Sequence, residues 1–238
     1  MVGRVVVAAM SICCLSALVG NPLRGQERAL SLVLKGNLTT SSQIFPNPNA
    51  ANATARAQSI SLQDLFGYGV ELKYQIPETN IAFGISADYI HTTRGRSILA
   101  FPQQLVPVDD GYRVIPVECT GYFLIPASGP TFGIFMGGGG GVYFGRRIYR
   151  LAGTEAASVD ERPGFGIHVL GGVSYRFTER FTLIAEMKFR DLQFESSNAF
   201  STSRIHYRDI VVNVSQTPFD SSIHTDGIVF QLGAAFSF

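Results

Sequence analysis

The segment that decides the fold is Phe66-Gly67-Tyr68-Gly69-Val70-Glu71-Leu72-Lys73-Tyr74-Gln75-Ile76. Phe66, Tyr68, Val70, Leu72, Tyr74 and Ile76 share one parity, and Gly67, Gly69, Glu71, Lys73 and Gln75 share the other. A period of two is a β-strand, because successive side chains point to opposite faces. One face here is apolar and aromatic. The other carries charges, which must meet water or partners of opposite sign.

The same alternation recurs along the chain. Residues 81–89 set Ile81, Phe83, Ile85, Ala87 and Tyr89 against Ala82, Gly84, Ser86 and Asp88. Residues 132–144, 165–177, 181–189 and 228–238 alternate likewise, and residues 30–38 and 115–123 do so more weakly. The total is eight segments, most of them long enough for the roughly 9 to 11 residues with which a tilted strand crosses a bilayer. The connections alternate too. Residues 40–65, 92–111, 149–163 and 192–225 are long, whereas 77–80, 126–130 and 178–180 are tight. Aromatic residues crowd the strand ends: Tyr68, Tyr89, Phe144, Phe165 and Phe189 on the long-loop side, and Tyr74, Phe83, Phe123, Phe132, Tyr175, Phe177, Phe181 and Phe238 on the tight-turn side. Such paired belts suit the two interfaces of a membrane.

Composition agrees. The 238 residues are 46% hydrophobic but only 16% charged, with 19 Lys+Arg against 18 Asp+Glu. That balance argues against disorder and against a nucleic-acid-binding surface. The longest uncharged apolar run, residues 5–20, is short for a membrane helix. It follows Arg4 and precedes Pro22, the layout of a secretory signal peptide, so residues 1–26 are expected to be removed, with cleavage between 20 and 26. An uncleaved anchor is the alternative. Loss of Arg4 and Arg24 takes the formal charge from +1 to −1. Cys13 and Cys14 leave with that segment, and Cys119 alone supports neither a disulfide framework nor a zinc cluster.

With these features the chain resembles the small eight-stranded outer-membrane β-barrels, similar to the barrel domain of outer membrane protein A and to outer membrane protein W. The resemblance spans nearly all of residues 27–238. It implies an all-β fold, an antiparallel up-and-down transmembrane barrel of eight strands with four long extracellular loops and three short periplasmic turns. It also implies export and insertion in the outer membrane of a diderm bacterium as a monomer, with periplasmic chaperones, the barrel-assembly machinery, outer-membrane lipids and lipopolysaccharide as partners. Phe230, Leu232, Phe236 and Phe238 resemble the assembly signal, and a peptidoglycan-binding domain is not expected. The soluble alternative is a lipocalin-like barrel. A ten-stranded barrel would recruit residues 205–214 and 97–106, which are read instead as strand extension or loop structure.

Parity directs Lys35, Glu71, Lys73, Asp88, Glu118, Arg176, Glu186, Lys188 and Arg190 into the lumen. Eight strands enclose a space that side chains can fill, so the expectation is a salt-bridged plug, with a narrow pore as the alternative. The run Gly137–Gly141 lacks the Lys-Ser/Thr and helix of a phosphate loop and reads as allowing close packing, sharp bending or room for a large neighbour across the lumen. His91, His168, His206 and His224 show no recognisable catalytic spacing; the His-x-Ser and Asp-x-His pairings of outer-membrane lipid A deacylases and barrel proteases are absent. A lipid A-modifying enzyme is therefore the least favoured reading, and no cofactor or metal is expected. Basic residues gather near the long loops at Arg94, Arg96, Arg113, Arg146, Arg147, Arg150, Arg190, Arg204 and Arg208. Of these, Arg94, Arg96, Arg146, Arg147 and Arg150 are the candidate lipopolysaccharide contacts. The expected role is structural or surface-interacting, through the loops; a conduit for ions or small apolar molecules is the alternative.

Overall fold

The computed structural model describes residues 29–100, 104–126, 129, 131–225 and 227–238. The expected export segment, with Cys13 and Cys14, lies outside the described residues. The chain forms β1 (Leu30–Phe45), a single exposed helical turn α1 (Ala53–Arg56), β2 (Ile60–Gln75), β3 (Ile81–Ala100), β4 (Gln104–Leu124), β5 (Phe132–Leu151), β6 (Thr154–Glu155) and β7 (Ala157–Arg162). It continues with β8 (Gly164–Arg176), β9 (Phe181–Arg190), β10 (Leu192–Ala199), β11 (Arg204–Tyr207), β12 (Ile210–Asn213), β13 (Phe219–Thr225) and β14 (Ile228–Ser237).

Eight of these close a ring in the order β1-β2-β3-β4-β5-β8-β9-β14, every pair antiparallel, with β14 returning to β1 from Ser31↔Ser237 to Thr39↔Val229. Closure leaves no unpaired strand edge around this ring, the condition for a sheet to stand in hydrocarbon. The outward parity is the apolar one. All the belt aromatics of both ends lie on it, and Phe66, Leu72, Ile85, Met136, Ile167, Leu183 and Leu232 remain exposed between them. Along β5 the exposed apolar side runs from Phe132 to Phe144, about 40 Å of strand and about 28 Å of height at a 45° tilt, close to the apolar band of an outer-membrane barrel.

The long connections differ from the sequence expectation, being largely strand. Residues 92–100 and 104–111 extend the β3–β4 ladder from Thr92↔Tyr112 to Ala100↔Gln104. Past Asp191, β10 pairs with β13 in the same register in which β9 pairs with β14, Leu192↔Thr225 following Ile228↔Phe189. The barrel wall thus rises beyond the apolar band, and among the described strands the β11–β12 hairpin forms a separate two-stranded sheet. Hydrophobic periodicity fades in these extensions, most of all in residues 93–99, which are exposed on both faces.

The phase also changes with height. Thr39 and Leu65 point inward, as do Ser42 and Leu62, so both strands gain an extra residue at Thr40 and Asp64; Asp64 takes a φ of 55°, which an aspartate tolerates. Above that step the interior is mainly apolar, around a buried Arg147–Asp110 pair. Ile44, Leu65, Ile90, Tyr112, Tyr143, Leu192, Phe194 and Ile223 form one cluster, and Val106, Val108, Leu151, Ala156, Phe200 and Ile205 a second, still further out. Near the turn end Val33, Ala82, Tyr122, Phe135, Leu170, Ile184 and Ala235 form a third.

Candidate functional site

Between the turn-side cluster and the first loop-side cluster lies the charged layer. Lys35 on β1 meets Glu71 on the adjacent β2 at 2.6 Å, and the Tyr122 hydroxyl donates to the other Glu71 oxygen, also at 2.6 Å. The Lys73 ammonium sits 3.7 Å from the centroid of the Tyr122 ring, in the field of Glu71 and Glu186. Lys35, Lys73, Glu71 and Glu186 make a neutral quartet. One or two residues higher, Lys188 donates to Glu118 at 2.7 Å across the lumen. Arg190 lies 3.2 Å from both Asp88 and Glu118, and the Tyr143 hydroxyl donates to Glu118 at 3.4 Å. Lys188, Arg190, Asp88 and Glu118 form a second neutral quartet.

Charges buried this way are held by partners, since the desolvation of each ion is offset only by close opposite charge. The layer is not fully saturated. Asn37 Nδ2, Thr39 Oγ1, Asp88 Oδ1, His168 Nδ1, Glu186 Oε2 and Gln231 Oε1 are buried without a hydrogen bond among the described residues. Gln231 does donate to Asn37 at 2.8 Å, and His168 shares a 2.9 Å bond with Thr120.

Of the nine residues assigned to the lumen by parity, Arg176 departs. It is the last residue of β8, below the apolar turn-side layer, and its side chain is exposed to water. The glycine run gives room, but to neighbours on the next strand rather than across the lumen. A Cβ on Gly137 would crowd Tyr122, and one on Gly141 would meet the Glu118 side chain. Tyr122, Tyr143, Thr120 and His168 are not in the set of lumen charges read from the sequence. Their inward parity was readable, but their bonding to the charges depends on which strands become neighbours.

The arginines divide sharply. Arg147 is a correction to the lipopolysaccharide set: it points inward, is buried, and is held bidentately by Asp110 at 2.9 and 2.7 Å, with its guanidinium over Tyr149 and Phe219. Arg96 also turns to Asp110, at 3.7 Å, and Arg94 on the same face donates to the Ser61 carbonyl. Arg150 pairs with Glu155 at 2.9 Å. Arg146 lies on the outer face, directly opposite Arg113 in the β4–β5 ladder.

Hydroxyl and imidazole meet outside the lumen where Ser222 Oγ lies 2.9 Å from His224 Nε2. Ser222 is only 4% exposed, and the ring of His224 packs on Phe45 with centroids 4.8 Å apart. A nucleophile needs an open approach and a base held by a third group, and neither is present among the described residues. Those residues contain no cluster of metal-ligating side chains. Phe230, Leu232, Phe236 and Phe238 all face outward along the last strand and beyond it.

No family model and no curated protein matches the chain. Solved structures do. The outer membrane protein OprG from Pseudomonas aeruginosa superposes with a TM-score of 0.54 at 12% identity, covering 91% of this chain and 99% of that one. Neisserial surface protein A (NspA) gives a TM-score of 0.46 at 13% identity over 88% and 97% of the two chains. Ail, the attachment invasion locus protein of Yersinia pestis, gives 0.43 at 13% identity over 89% and 99%. With the closed ring, its apolar outer band and its polar interior, the OprG superposition establishes that this chain has the fold of the small eight-stranded outer-membrane β-barrels.

Proposed function

We propose that this protein is a monomeric barrel of the bacterial outer membrane with a closed lumen, acting structurally and through its extracellular half. One observation carries the reading: two neutral quartets of buried ions are sealed by an apolar layer on the turn side and by apolar clusters on the loop side. An ion passing through would have to part both layers and replace the partners of buried charges. The outer half supports the second part of the reading. It carries its own core around Val108, Leu151 and Phe200, so the wall above the membrane is a folded body able to present a fixed surface.

Planar-bilayer recording on the purified barrel tests this. Wild-type protein is expected to give no steady conductance above background. A stable single-channel step carried by the wild type would overturn the closed-lumen reading in favour of a narrow conduit. Protein that stays folded and soluble without detergent would overturn the membrane placement itself.

A further inference from the structure

Through the apolar band the wall is a closed ladder, but above the band it parts between β2 and β3. Their ladder stops at Gly67↔Ile90. Residues 60–66 continue beside β1 alone and residues 91–99 beside β4 alone, so each strand turns an edge of backbone N–H and C=O groups to the gap with no ladder partner among the described residues. A second parting, where β5 leaves β8 above Tyr143↔Gly164, is covered by the chain itself: Ser196 accepts from the Arg147 N–H and Asn198 donates to the Arg147 carbonyl. The β2 edge is interrupted by the extra residue at Asp64 and holds Leu62 and Leu65 in the interior cluster. The β3 edge has neither protection. Each residue from Thr93 to Leu99 is exposed, and a single side-chain bond bridges the gap there, Arg94 donating to the Ser61 carbonyl at 3.3 Å.

We propose that the edge of β3 from Thr93 to Leu99 takes up an extended acidic peptide segment of another protein as an added antiparallel strand. In such a pairing the backbone supplies the affinity and alternate side chains supply the selection. Arg94, Arg96 and Ile98 share the inward parity, whereas Thr93, Gly95 and Ser97 on the other face are small. Arg96 reaches Asp110 only at 3.7 Å, its side chain stays 45% exposed, and Asp110 is already held by Arg147. Cations at spacing two on an open edge call for carboxylates directly opposite. The fitting segment therefore carries acidic residues opposite Arg94 and Arg96 and an apolar one opposite Ile98. A second copy of this chain fits worse, because two such edges paired antiparallel about Gly95 set Arg94 of each against Arg96 of the other. The proposal deepens the surface-interacting reading of the extracellular half and rests on it.

The test uses the whole barrel in maltoside micelles, wild type and the Arg94→Gln/Arg96→Gln pair, both first checked for the folded form by heat-modifiable mobility. The probe is the fluorescein-labelled peptide Thr-Val-Thr-Glu-Thr-Glu-Thr, which places Val opposite Ile98 and the two Glu opposite Arg96 and Arg94; its controls are the same peptide with Gln for both Glu, and the acidic peptide N-methylated throughout. Fluorescence anisotropy should show the acidic peptide binding the wild type about tenfold or more tighter than the Gln pair, with Arg94→Lys/Arg96→Lys restoring part of the affinity. The Gln peptide should bind the wild type and the Gln pair alike, the N-methylated peptide should not bind, and the acidic peptide should slow hydrogen exchange of the amides in residues 93–99. No binding of the acidic peptide to the wild type at millimolar concentration, or equal affinity for the wild type and the Gln pair, would overturn the proposal. So would binding of the N-methylated peptide, or binding without protection of residues 93–99, since either would mark attraction of charge without an added strand. Dimers of the wild type that protect residues 93–99 in the absence of peptide would give the edge to a second copy instead. None of these results moves the conductance of the barrel or its need for detergent, so failure here is distinguishable from failure of the reading on which the proposal rests.

Discussion

The half of the barrel inside the apolar band and the half above it are built inside out relative to one another. Within the band the wall shows Phe, Leu and Ile to the outside and encloses Lys35, Glu71, Glu118, Lys188 and Arg190. Above it, the interior holds Ile44, Tyr112, Phe194, Val108 and Leu151, while Asp160, Arg162 and Glu195 face out. Strands β1 to β5 run through both halves, and β10 and β13 carry on the wall above β9 and β14. What changes is the solvent on the outer face: most of the paired ions are buried below, and above lies mainly hydrocarbon with the single buried pair Arg147–Asp110. The crossover is marked by the extra residues at Thr40 and Asp64, which turn the parity of β1 and β2 so that each half meets its own requirement.

The largest expected effect breaks the lower half outright. A Cβ on Gly139 would fall on the Cys119 carbonyl of the neighbouring strand, whereas one on Gly171 would meet nothing nearer than 4.0 Å. Gly139→Val should abolish the heat-modifiable folded form, while Gly171→Ala should keep it at wild-type yield. Next comes the charged layer. Lys188→Ala leaves Glu118 buried without its 2.7 Å partner, and should lower the unfolding free energy by about 3 to 5 kcal/mol and introduce measurable conductance. Glu186→Ala should cost less, since one of its oxygens has no hydrogen bond to lose. Urea unfolding in detergent micelles and bilayer recording check both; unchanged midpoint and conductance in Lys188→Ala would mean that the ions line a hydrated space.

The upper half should respond differently. Leu151→Ala in the outer apolar cluster should cost about 2 to 3 kcal/mol of local stability, seen as faster proteolysis of the extracellular half, without changing conductance or membrane yield. Loss of membrane insertion in this variant would show that the two halves fold as one unit.

The two halves also differ in how far the sequence discloses them. Strict alternation in residues 66–76 is imposed by lipid on one side and a narrow lumen on the other, so strand number, orientation and the inward set of charges could be read directly. Arg176 escaped that reading because parity gives a face but not a height, and the residue lies beyond the sealed layer. In the upper half the wall meets water, and residues 92–100 alternate weakly, so strand extension and loop could not be told apart there. Arg147 and Arg146 are adjacent in sequence and looked equivalent. Their opposite parity on β5 puts one against Asp110 in the interior and the other on the outer rim beside Arg113, a distinction that needs the position of the strand in the ring.

The smallest effect belongs to an ion pair of the upper half that resembles the lumen pairs only on paper. Arg150 and Glu155 meet at 2.9 Å, nearly the separation of Lys188 and Glu118 at 2.7 Å, but their side chains are 43% and 41% exposed against 1% and 0%. Water screens the exposed pair and solvates either member once the other is removed, so Glu155→Gln should change the unfolding free energy by less than about 1 kcal/mol. In the lumen the same substitution at Glu118 removes the charge that holds both Lys188 and Arg190, and no solvent stands ready to replace it. Raising salt to about 1 M shortens the screening length to about 3 Å and should erase what remains of the Glu155 contribution while leaving that of Glu118 nearly intact. Equal salt sensitivity of the two variants, measured by urea unfolding in micelles, would mean that bulk electrolyte reaches the charged layer, and the contrast between a sealed lower half and a wetted upper surface would not stand.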